Sequence, residues 1–85
     1  MDIYILKNFS LQETFFGLAN GKLQDTVTSH KEDPDSPVGH WKFESEEIKW
    51  GLVQEDMHEA NAHAFLQALR REPPDDGWVL VVGSD

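Results

Sequence analysis

The 85-residue chain has no cysteine, which excludes disulfides, thiolate zinc sites and cysteine nucleophiles. No apolar run approaches the ~20 residues needed to span a bilayer. Met1-Asp2 is acidic where a secretory leader would be basic, so a cytoplasmic domain with no membrane role is expected. Basic residues are scarce: seven Lys and Arg stand against sixteen Asp and Glu, a net charge of -9. A phosphate-binding surface normally carries a basic stripe, so this balance argues against nucleic acid as a partner. A glycine-rich phosphate loop, a serine nucleophile elbow and paired catalytic carboxylates are also missing, as are repeats and low-complexity segments. What remains is 39% apolar and 11% aromatic residues, enough for a packed core. The length allows one domain, spanning residues 1–85, which buries roughly 60% of its unfolded surface.

Asp2 to Lys7 is a β-branched and aromatic run that suits a strand. Asn8 to Glu13 is polar and can turn the chain into a second strand, Thr14 to Ala19, giving an antiparallel pair. Gly17 inside that strand is costly unless another group must come close. Asn20-Gly21 is a type I′ hairpin signal, which would make Lys22 to Thr28 a third strand. A helix over Lys22 to Glu32, with Leu23, Val27 and His30 or Lys31 on one face, competes evenly with it. Lys31 to Gly39 reads as a loop, Glu44 to Glu47 as an acidic turn and Ile48 to Val53 as a strand. The clearest helix starts at Asp56 as N-cap, has Glu59 in its first turn and Arg70-Arg71 in its last. Its apolar stripe is Met57, Ala60, Ala64, Ala68, Phe65 and Leu69, and Pro73-Pro74 end it. Asp75-Asp76-Gly77 turns into Trp78 to Val82, expected as a buried strand. The fold class is α+β: a small, mostly antiparallel sheet with one or two helices.

Candidate chemistry is sparse. His58 and His63 bracket a segment similar to a zinc-protease helix, but they are five residues apart. At ~100° per residue they diverge by about 140°, so they cannot share one tetrahedral ion. Glu59 and His63 do share a face, as a surface ion pair or, less simply, a metal or acid/base pair. His30 and His40 flank the acidic loop and read as solvated. Glu44, Glu46 and Glu47 read as a solvated turn rather than a cation site. Trp41, Trp50 and Trp78 lack the basic groove of a base-stacking surface, so core packing or a protein interface is expected of them.

The ordered landmarks define a resemblance. Asp2-Ile3-Tyr4-Ile5-Leu6, followed by Phe15-Phe16-Gly17-Leu18, is similar to the paired strand motifs of the GIY-YIG nuclease superfamily. Leu23 through His30 resembles the first helix of that fold. Gly39-His40-Trp41, the strand Ile48 to Val53 and an alanine-rich helix follow in order, covering residues 2 to about 71. The resemblance implies a β-β-α-β-α fold with an extra C-terminal strand, a helix at Lys22, and a glycine at 17 beside an active-site groove. The family cleaves phosphodiesters with two tyrosines, a helix arginine, a histidine or tyrosine, and a metal-binding glutamate. Tyr4 matches the first tyrosine and His30 the histidine. Phe15 stands at the second tyrosine without its hydroxyl, and Thr26 stands where the arginine falls. The glutamate position offers Ala64 or Ala68, and Glu59, one or two turns early, is the nearest carboxylate that could bind metal.

Groups that hold charge on a phosphate are often worth ~3 kcal/mol or more each. Their loss, with the charge of -9, leads to the expectation of a GIY-YIG-like domain without endonuclease activity. Such a domain acts on a protein partner, needs no cofactor, and is a monomer or weak dimer. One alternative is a diverged, Mg-dependent endonuclease built on Tyr4, His30 and Glu59. It needs a basic patch, for which Lys7, Lys22, Lys31, Arg70 and Arg71 are the candidates. The other alternative is an acidic inhibitor or nucleic-acid mimic that occupies a basic site on its partner.

Overall fold

The computed structural model describes residues 1–72 and 76–82. The elements are β1 (Asp2–Asn8), β2 (Glu13–Ala19), α1 (Leu23–Glu32), β3 (Ile48–Gln54), α2 (Glu59–Arg71) and β4 (Val79–Val81). β1 and β2 form an antiparallel hairpin in register from Asp2↔Ala19 to Asn8↔Glu13. Asn8 closes β1 because its Oδ1 accepts the N–H groups of Ser10 and Leu11, both at 3.0 Å. That side chain thereby makes the turn itself. β3 pairs antiparallel on the other side of β1, with a register shift beside Ile3 and Tyr4. β4 pairs parallel to β2. The sheet order is β3-β1-β2-β4, and two helices flank it. The α+β class holds, and the sheet is mixed because its last strand is parallel.

Asn20-Gly21 does not make a hairpin. Gly21 takes φ +114°, a left-handed conformation open to glycine, and the chain enters α1 instead. α1 is anchored by Val27, 3% exposed, which tertiary packing places in a helix despite the β-prone Thr-Val-Thr run. Side chains alternate across the sheet. One face carries Tyr4, Leu6, Phe15 and Ala19, which join Val27, Val38 and Trp41 in a single buried cluster. Leu23, Phe43, Ile48 and Val81 pack around it. The opposite face carries Ile3, and α2 lies against β1 and β2 there, burying Ala62 and Leu66. Among the described residues no helix is long and apolar enough to cross a membrane.

Three expectations are corrected. Asp56 is not the N-cap of α2: His58 takes that position without a side-chain cap bond. Asp56 sits at φ +55° and donates its N–H to Asp2 Oδ1. The cause is the pairing of Met57 with Met1, N–H to carbonyl in both directions at 2.8 Å, which ties this segment to the N-terminus and delays the helix until after His58. The apolar stripe of α2 is also different. Ala62 and Leu66 are buried, whereas Ala60, Ala64, Phe65 and Ala68 are exposed, because the large Leu66 outweighs a row of alanines. Finally, the segment Trp78 to Val82 is not a buried strand. β4 is an edge strand of three residues, with Val79 and Val82 at 58% and 60% exposure. Pro73-Pro74, expected to stop α2, and Asp75 of the following turn lie outside the described residues.

Candidate functional site

The β1–β2 register places Tyr4 directly opposite Gly17. With no side chain at Gly17, the Tyr4 ring lies across the neighbouring strand and its hydroxyl approaches the Gly17 backbone. Beyond it stands α1, where Thr26, Ser29 and His30 share one face through their three- and four-residue spacing. These groups, with Phe15, Leu18, Pro37 and His63, line one cavity of about 430 Å³. Tyr4, Phe15, Thr26 and His30 therefore converge on one concave surface beside Gly17.

The cavity is organised around His30. Its Nε2 lies 2.6 Å from the Tyr4 hydroxyl, and its Nδ1 lies 2.5 Å from Ser36 Oγ. Ser36 Oγ also accepts the Val38 N–H at 3.3 Å. Phe15 meets the imidazole edge-on at 5.5 Å. Burial pushes the His30 pKa below its ordinary 6.5, and the raising effect of Asp33 does not cancel it. The ring is thus neutral near pH 7, and its single proton has two placements. Either Tyr4 donates to Nε2 while Nδ1–H donates to Ser36, or Ser36 donates to Nδ1 while Nε2–H donates to Tyr4. In the first arrangement His30 is placed to take the phenolic proton. The expectation of a solvated His30 is overturned: the histidine is half-buried and hydrogen-bonded on both nitrogens.

His40 is exposed, but it is not free. Its Nε2 donates to Glu13 Oε1 at 2.7 Å, and Trp41 Nε1 donates to the same oxygen at 2.6 Å. Burial raises the Glu13 pKa, but the bonds from Trp41 and His40 and the His40 charge outweigh it, leaving the carboxyl below its ordinary 4.5. The acidic turn is only partly solvated. Glu44 and Glu47 are exposed, whereas Glu46 Oε1 accepts from Asn8 Nδ2 at 3.0 Å and from the Lys42 N–H at 2.7 Å. Of the tryptophans, Trp41 is core at 4% exposure and Trp50 is exposed at 42%. Trp78 packs edge-on against Phe9.

Glu59 does not line the cavity. It lies at the exposed start of α2, its Oε1 4.0 Å from His63 Nε2, and only His63 reaches the cavity wall. No group of three or more His, Asp or Glu side chains suited to a metal ion exists among the described residues. A lone carboxylate beside an imidazole does not fit the oxygen-rich shell that Mg²⁺ requires. The five basic candidates are scattered. Lys22 caps α1, Lys31 lines a separate cavity with Trp41 and Lys42, Lys7 lies over Trp78, and Arg70 donates to the Phe16 carbonyl. Arg71, like Arg70, ends α2. Among the described residues, none of the cavity-lining side chains is Lys, Arg, Asp or Glu.

Ser29 and Ser36 were not among the residues singled out from the sequence. Ser29 was findable from its spacing to Thr26, but a loop serine such as Ser36 leaves no periodic signal. Comparisons of the chain with protein-family models, with curated proteins and with solved structures find no significant match in any of the three.

Proposed function

We propose that the chain is a GIY-YIG-like domain that has lost endonuclease activity and acts through a protein partner. The observation that carries this reading is the composition of the cavity. Tyr4, Phe15, Gly17, Thr26 and His30 line it together, yet among the described residues no Lys, Arg, Asp or Glu side chain does. A phosphodiester placed there meets a phenol, an imidazole and hydroxyls, but no fixed charge to hold its developing negative charge. Metal-assisted hydrolysis would also need a carboxylate within reach, and Glu59 stands outside the cavity.

The Tyr4–His30 contact favours a second reading, a diverged nuclease in which His30 accepts the Tyr4 proton. One assay separates the two: incubation with branched, nicked and single-stranded DNA in the presence of Mg²⁺. No cleavage above background is expected, for either the wild type or Tyr4→Phe. Metal-dependent cleavage by the wild type that disappears in Tyr4→Phe would establish the second reading instead.

A further inference from the structure

Lys7 and Lys49 stand directly opposite each other in the β1–β3 register, on the sheet face that also carries Ile3 and Ile5. Like charges so placed repel. Each ammonium is drawn over an aromatic ring, Lys7 Nζ at 5.4 Å from the Trp78 centroid and Lys49 Nζ at 5.7 Å from that of Phe9. The two rings meet edge to face at 5.3 Å. Two positive charges are thus held on one aromatic pair. α2 ends beside Phe16, where Arg70 donates to the Phe16 carbonyl, one row short of Lys7 on the same face. Lys7 and Lys49 are thus paired on one face in a chain where acids outnumber bases sixteen to seven. Glu47, whose carbonyl accepts the Phe9 N–H, is an exposed acid beside this pair. The neighbouring Phe9 and Leu11 are 40% and 42% exposed, so the positive patch is bordered by apolar surface.

We propose that this patch docks an acidic segment of a partner protein, with carboxylates at Lys7 and Lys49 and leucine or phenylalanine side chains against Phe9 and Leu11. A nucleic acid fits less well. The ring faces are already taken by ammonium groups and the rings meet edge-on, which leaves no parallel platform for bases. A charge of -9 also repels a long polyanion, whereas a short peptide presents only a few carboxylates to one patch. The inference rests on the protein-partner reading alone. It concerns a different surface from the cavity, so the cleavage assay and the assay below can fail independently.

The test is fluorescence anisotropy on the full chain with two labelled probes: a short peptide alternating Glu with Leu and Phe, and an oligothymidylate. The peptide is expected to bind, with affinity falling about tenfold or more in Lys7→Glu/Lys49→Glu. Raising NaCl from about 50 to about 300 mM should also weaken it. Lys22→Glu/Lys31→Glu, which changes the net charge equally, should leave binding unaltered. Lys7→Gln/Lys49→Gln keeps the test decisive if the charge reversal impairs folding. Absence of peptide binding, equal losses in both double variants, or tighter lysine-dependent binding of the oligothymidylate would overturn the proposal.

Discussion

A Cβ at position 17 would overlap the Tyr4 hydroxyl and lie 2.5 Å from Tyr4 Cζ. Tyr4 cannot swing away cheaply, because it is 3% exposed and bonded to His30. Gly17→Ala should therefore destabilise the fold by about 1–3 kcal/mol in urea unfolding, as overpacking does. In a Tyr4→Leu background the same substitution should cost less than half as much. An equal cost in both backgrounds would mean that strand geometry, not the ring, requires glycine. From the sequence, Gly17 was legible as a place of close approach, but not what approaches. The visitor is the chain's own tyrosine. His30 was named through the resemblance alone: by its neighbours it reads as a solvated loop histidine, and only the folded distances to Tyr4 and Ser36 reveal its two hydrogen bonds.

At the level of elements, α2 shows where patterning fails. Leu66 is 1% exposed and Phe65 is 39% exposed, although both belong to the same apolar run. Leu66→Ala should lower stability by about 2–4 kcal/mol, while Phe65→Ala should cost under about 1 kcal/mol. Thermal melts of the two variants check this, and the reverse order would mean that the other helix face is docked. β1, β2 and β3 were legible to within about a residue at each end, because β-branched and aromatic runs bounded by polar turns have few other uses. The helix at α1 was not decidable from its residues alone. Thr26-Val27-Thr28 prefers a strand, and the long-range contacts of Val27 and His30 with the sheet outweigh that preference. The face of α2 was misread because alanines recur at helical spacing on the side that faces away from the sheet. β4 was misread because an apolar run looks alike in the centre of a sheet and at its edge.

Taken as a whole, the molecule holds the segment between α1 and β3 through polar contacts that include two titratable ones: His30 of α1 with Ser36, and Glu13 of β2 with His40 and Trp41. Both titrate in the same sense. The His30 pKa is lower folded than its ordinary 6.5, so the unfolded chain takes up that proton first as pH falls. Its contribution is complete above about 6.5 and is lost as pH drops from there toward the folded value. The Glu13 pKa is also lowered, from 4.5, so its contribution is present above that value and is lost as pH falls through the folded pKa. Urea midpoints measured from about pH 8 to about pH 4 should decline in two stages, with the upper stage reduced in His30→Gln. Flat midpoints between about pH 7.5 and 5.5 would contradict the His30 assignment. The placement of β1 between β2 and β3 has one more consequence, for which changes of chain length the fold tolerates. Tyr4 serves the cavity and Ile3 the helix face, so a single residue inserted early in β1 would exchange the two sets of side chains along the strand. The same insertion in the exposed segment 33–35 would only lengthen a loop, because Ser36, Val38 and Trp41, which fix the chain that follows, lie beyond it. Length drift among related chains is therefore expected in that segment and not in β1.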